Sequence, residues 1–147
     1  FYLAGDGIYR DKIIPKLKKF ENFVWMGNLE YPNEVKKFFS SIDVYLLLSG
    51  LEGLGQSVIE SMLMKKPVIT SNIGGIPEIV IDGETGFLVN LGDSNQIVHL
   101  INDLLSKPDL VKKITTKAEE NVKMNYSWES IAKKFLEILE KTHKESN

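Results

Sequence analysis

Apolar residues fall in short blocks along this chain, and their spacing changes from block to block. Phe1-Tyr2-Leu3-Ala4 is a continuous apolar run that stops at Gly5-Asp6-Gly7, as a strand ending in a turn would. Ile14, Leu17 and Phe20 then recur at helical spacing, which predicts a helix over 11–20. Val24–Gly27 reads as a second strand, and Val35, Phe38 and Phe39 share one face of a helix over 33–41. The clearest strand is Asp43–Leu48, which is apolar without alternation, as a strand covered on both faces should be. Helix signals over 55–65, a strand at 67–70, a short helix at 76–80 and a strand at 87–89 follow. Beyond Asp93 the pattern is helical throughout, with starts near Asp93, Pro108 and Ser127. The last of these predicts a closing helix over 127–143, with Ile131, Phe135, Ile138 and Leu139 as its packing face.

Strands alternating with helices through short glycine-bearing links specify an α/β fold, an open parallel sheet with helices on both faces. No repeat or low-complexity linker interrupts the pattern, so one domain with a helical tail is the economical reading of residues 1–147.

Composition narrows the chemistry. The 147 residues include no cysteine, which excludes a disulfide frame and thiolate catalysis. The two histidines, His99 and His143, stand far apart and form no metal-ligand pattern. Eighteen basic against twenty acidic side chains argue against a dominant nucleic-acid surface. No apolar run reaches the length of a membrane span. The chain opens on a strand-like run without an initiator methionine, and we read it as a piece of a longer protein.

The candidate chemistry lies in Leu48-Ser49-Gly50-Leu51-Glu52-Gly53-Leu54-Gly55-Gln56, followed by Glu60. In open parallel sheets, ligands bind beyond the carboxyl ends of the strands, where this stretch is expected to lie. Gly53 and Gly55 clear side chains from a helix entrance, so backbone N–H groups and the helix dipole can meet an anion. Glu52 could hold hydroxyls at the reactive end and Glu60 the hydroxyls of a ribose. The structural alternative for both is a solvated surface acid. Eight residues on a helix would span about 12 Å, too far for the roughly 5–5.5 Å carboxylate pair of a retaining glycosidase. Asn72-Ile73-Gly74-Gly75-Ile76-Pro77-Glu78 offers a second close backbone approach, at Gly74 and Gly75. Arg10 is a candidate phosphate contact, with an ordinary ion-pair role as its alternative.

In order along the chain, several blocks form one combination: Gly5-Asp6-Gly7, Trp25-Met26-Gly27, Glu52-Gly53-Leu54-Gly55 with Glu60, Lys66-Pro67-Val68-Ile69, Gly74–Glu78 and Asp82–Val89. That combination resembles the C-terminal, donor-binding domain of retaining, nucleotide-sugar-dependent glycosyltransferases with two facing Rossmann-like domains, the GT-B architecture. The resemblance implies retaining transfer of a sugar from a nucleoside diphosphate to an acceptor. Glu60 would hold the donor ribose. Glu52 would stand at the reactive end as the catalytic carboxylate, near the transferred sugar and phosphates, and the backbone at Gly53, Leu54, Gly55 and Gln56 would hold the diphosphate or sugar hydroxyls. Gly74 and Gly75 would form part of the site wall. No metal or cofactor is implied, since the nucleotide sugar is the substrate. The family's phosphate-binding arginine and lysine would lie ahead of Phe1, in a first strand–helix unit, and an N-terminal domain of the same parent would bind the acceptor. The fragment alone would then be inactive. The parent would work in the cytoplasm, at the inner membrane face where its acceptor is membrane-associated. The competing readings are a non-catalytic sugar-nucleotide-binding or regulatory module and a related sugar-nucleotide epimerase.

Overall fold

The structure is a computed structural model that describes residues 1–145, with side-chain surroundings through His143. Every strand pair in it is parallel, and the elements divide into two compact units, Phe1–Ser41 and Ile42 onward.

The first unit runs β1 (Tyr2–Ala4), α1 (Arg10–Leu17), β2 (Val24–Gly27) and α2 (Asn33–Ser41). β1 and β2 form a two-stranded sheet with Tyr2 opposite Val24 and Leu3 opposite Trp25, and the register shifts after Leu3. α1 ends at Leu17, three residues before the periodicity does. Pro15 sits inside it and has no N–H to give the Asp11 carbonyl one turn back, and the Lys18 N–H closes the helix on the Ile14 carbonyl at 2.9 Å. Its buried anchor is Ile14, and that of α2 is Phe39, whose ring meets Phe38 edge-on at 5.7 Å.

The second unit runs β3 (Tyr45–Leu47), α3 (Gln56–Leu63), β4 (Val68–Ser71), α4 (Ile76–Ile79), β5 (Phe87–Val89), α5 (Ser94–Ser106), α6 (Pro108–Tyr126) and α7 (Trp128–Glu145). Its sheet has the order β3-β4-β5. Central β4 is buried at all four positions, which explains why it reads as an unbroken apolar run. Successive side chains on β4 point to opposite faces, and each face has its own core. Val68 packs with Val58 and Met62 of α3, Ile76 and Ile79 of α4, and Ala118 and Val122 of α6. Ile69 packs on the other side with Val89 and Leu104, joined by Leu100 and Ile101 of α5 and Val111 of α6. Helices therefore cover both faces of an open parallel sheet, a Rossmann-like arrangement.

The helix starts beyond Asp93 follow their caps. Asp93 accepts a hydrogen bond from the Gln96 N–H at 3.0 Å, and Pro108 occupies the first position of α6. Ser127 Oγ accepts from the Ser130 N–H at 3.2 Å and opens α7. The apolar stripe of α7 is not consumed by this packing: Trp128, Phe135 and Ile138 remain exposed.

Candidate functional site

The connection from β3 to α3 begins at Leu48 and ends at Gly55, which takes a left-handed conformation (φ 72°) as the N-cap of α3. A side chain there would collide with Ile76 Cδ1 in addition to adopting a backbone that L-residues avoid. No side chain caps this helix. Its first internal bonds run from Val58 and Ile59 to the Gly55 carbonyl, so the amides of Gln56 and Ser57 precede the hydrogen-bonded ladder. This is the bare N-terminus expected of an anion site.

The two glycine-bearing segments, separate in sequence, form one structure. The Gly75 N–H donates to the Gly53 carbonyl at 2.8 Å. A Cβ on Gly74 (φ 54°) would run into the Glu52 carbonyl oxygen, and one on Gly75 into that of Gly53. These two glycines therefore let one loop lie backbone-to-backbone on the other and so set where Glu52 sits. Gly53 differs: nothing lies within 4 Å of where its Cβ would be, leaving an open face beside the helix entrance.

Glu52 folds its stem over that entrance, with Cγ 3.8 Å from where a Gly55 Cβ would stand. Glu60 lies on α3, half-buried, and burial pushes its carboxyl above the ordinary glutamate range. Among the described residues no ion pair claims Glu52 or Glu60. Other acids of the chain are engaged: Asp103 with Lys107 at 2.8 Å, Glu119 with Lys65 and Lys123, and Glu84 with Lys117. The desolvation is met at Glu60 by a readier uptake of its proton, since no cation offsets it.

The wall carrying Gly74 and Gly75 is held from behind. Asn121 Nδ2 of α6 donates to the Ile79 carbonyl at 3.1 Å, and the Tyr126 hydroxyl to that of Glu78 at 2.8 Å. Both satisfy carbonyls that a helix as short as α4 leaves open.

Sequence reasoning missed Tyr45 and Ser57. Tyr45 on β3 is half-buried, and its hydroxyl donates to Ser57 Oγ in the first turn of α3 at 2.8 Å. Burial raises its pKa, the Ser57 hydrogen bond partly opposes this, and the negative charges of Glu52 and Glu60 raise it further, so the ring lies within the field of both acids. The available signal was one polar-tipped residue in an otherwise aliphatic strand.

Arg10 belongs to the first unit. Its guanidinium is held at 2.9 Å by both Asp6 and Asp11, the ion-pair role named as its alternative. It borders a cavity of about 350 Å³ beside the Gly5-Asp6-Gly7 turn, lined also by Leu3, Tyr9, Ile13 and Trp25. Trp25 Nε1 donates to the Gly5 carbonyl at 2.9 Å and steadies that turn. Among the described residues no group of three or more His, Cys, Asp or Glu could hold a metal ion, and no helix is long and apolar enough to cross a membrane.

A bare helix N-terminus and a backbone-packed loop pair, with two acids that no ion pair among the described residues claims, lie at the edge of the parallel sheet of a Rossmann-like domain, the kind that makes up half of a GT-B fold. The chain belongs to the family described as glycosyl transferases group 1, whose model matches residues 1–121. It is 37% identical over 134 residues to the trehalose synthase of Pyrococcus horikoshii, covering 90% of this chain and 32% of that protein. The chain thus spans about a third of that relative's length. Among solved structures, the C-terminal domain of the group 1 glycosyl transferase LpcC from Francisella tularensis superposes with a TM-score of 0.71 at 28% identity, covering 82% of this chain and 63% of that one. The fold also matches Anabaena HepE, solved with UDP and glucose, with a TM-score of 0.82 at 23% identity over 95% of this chain and 40% of that one.

Proposed function

We propose that this chain is the C-terminal, donor-binding domain of a retaining GT-B glycosyltransferase that moves a sugar from a nucleoside diphosphate to an acceptor. The observation that carries this reading is the pair of unpaired carboxylates, Glu52 and half-buried Glu60, flanking the uncapped N-terminus of α3. Family membership and the likeness to an isolated C-terminal domain support it.

In this reading Glu60 accepts the two ribose hydroxyls, which matches an acid placed on a helix one turn beyond the phosphate-binding end. The amides at Gly55, Gln56 and Ser57 receive the diphosphate, where the helix dipole favours charge that grows as the sugar departs. Open Gly53 lets the donor approach the backbone, while Gly74 and Gly75 fix the opposite wall. Glu52 works at the reactive end by hydrogen-bonding sugar hydroxyls.

The parent adds an N-terminal domain for the acceptor and a strand–helix unit ahead of Phe1 that supplies the phosphate-binding arginine and lysine. Transfer takes place in the cytoplasm, at the membrane face where the acceptor is membrane-associated, and the isolated domain is inactive.

The test is donor binding and turnover by the intact parent with UDP, GDP and ADP sugars, with product anomeric configuration read by NMR. Retention of configuration and dependence on an acceptor support the reading. Turnover of the free nucleotide sugar without an acceptor would instead indicate an epimerase.

A further inference from the structure

We propose that Tyr45 is a positioning residue of the donor site, holding the Ser57 hydroxyl as a hydrogen-bond acceptor so that the Ser57 proton is left for a donor phosphate oxygen. This rests on the donor-site reading above and deepens it by assigning two side chains that the loop motifs do not contain.

Tyr45 begins β3 and pairs with Val68 of β4, which places its ring on the face that packs against α3. From there it crosses the strand-to-helix layer and reaches Ser57 Oγ at 2.8 Å. Ser57 is the second residue of α3, in the turn whose amides precede the hydrogen-bonded ladder. A serine hydroxyl carries one proton and two acceptor lone pairs. With Tyr45 donating into one lone pair, the serine proton is free to turn toward another acceptor, and the hydroxyl joins the donors already at the helix end. A phenylalanine would fill the same space without fixing that rotor.

Burial and the nearby charges of Glu52 and Glu60 keep the Tyr45 hydroxyl protonated well above neutral pH, so the donation persists wherever the protein works. The same side chain feels both acids while touching the helix entrance. It therefore ties the position of the phosphate-binding turn to the strand that leads to Glu52.

The test uses the intact parent and isothermal titration with UDP, GDP and ADP, each beside its nucleoside, together with thermal melts. For the nucleotide that binds, Tyr45→Phe and Ser57→Ala should each raise Kd by roughly three- to ten-fold, the loss of one hydrogen bond. The double variant should lose no more than either alone, and the nucleoside's affinity should be unchanged. Ser57→Thr, which keeps the hydroxyl, should restore binding. Lowered melting temperatures with unchanged nucleotide Kd would overturn the proposal by leaving a purely structural bond. Equal losses for nucleotide and nucleoside would also overturn it. If Tyr45→Phe does not fold, the Ser57→Ala and Ser57→Thr pair decides the matter alone. If the wild-type parent binds none of the three nucleotides, the donor-site reading falls and this inference with it, a result distinct from equal binding by wild type and variants.

Discussion

The two units of this molecule are built from the same strand–helix alternation but carry very different cores. Among the described residues fourteen apolar side chains are buried, and of these only Ile14 and Phe39 belong to residues 1–41. The remaining twelve surround β4 and its helices. Phe1, Tyr2, Ile8, Tyr9 and Phe20 are exposed in the first unit, although the pattern marks most of them as packing residues. Charge divides as well: residues 1–41 hold seven basic and five acidic side chains, the rest eleven and fifteen. Apolar periodicity can be complete while burial is not, because burial needs a second layer and a helix as short as α1 covers little. The acid-rich unit with the developed core is also the one that carries Glu52 and Glu60.

The sharpest way to break this contrast is to remove core from each side. Met62→Ala in the second unit should cost about 2–5 kcal/mol, whereas Ile14→Ala should cost less because its surroundings can relax. Urea unfolding followed separately by Trp25 and Trp128 fluorescence checks this, with the Trp25 transition expected at lower urea in the unaltered protein. Coincident transitions would show the two units to be one cooperative body.

Gly74→Ala should come next, at about 2–4 kcal/mol, since it strains a positive-φ position and meets the Glu52 carbonyl. Nucleotide binding should fall with it, because the loop that carries Glu52 must shift. A fully stable Gly74→Ala with intact binding would mean that the loop contact does not position the acid.

Glu60→Gln should separate function from stability, with donor Kd rising about tenfold, close to 1.4 kcal/mol. Its carboxyl pKa is raised in the folded state by burial. A raised carboxyl pKa means that the native state takes up its proton more readily than the unfolded chain. The group therefore opposes folding above that pKa, and the penalty is relieved as pH falls through it. Melting of Glu60→Gln at neutral pH should accordingly match or exceed wild type, and the difference should shrink toward acid pH.

Asn121→Ala should have a smaller effect, about 1 kcal/mol, from the lost bonds to the Ile79 carbonyl and from Asn125 Nδ2, with a matching shift in the urea midpoint. Smallest of all, Lys117→Ala breaks only the exposed pair with Glu84 and should leave the thermal midpoint within error.

The amino-acid sequence alone determined the alternation of strands and helices, their parallel pairing, the caps at Asp93, Pro108 and Ser127, and the two glycine-and-acid segments. These are local properties, set by side-chain periodicity and by which residues can occupy turns and helix ends. Only the tertiary structure decided that Gly53 stays open while Gly55, Gly74 and Gly75 are used up in packing, because a glycine looks the same whether its missing side chain makes room for backbone or for ligand. It likewise decided that Arg10 is held between Asp6 and Asp11, and that Tyr45 reaches Ser57 twelve residues on. Such pairings depend on which segments the folded sheet brings together, and no local periodicity encodes that distance.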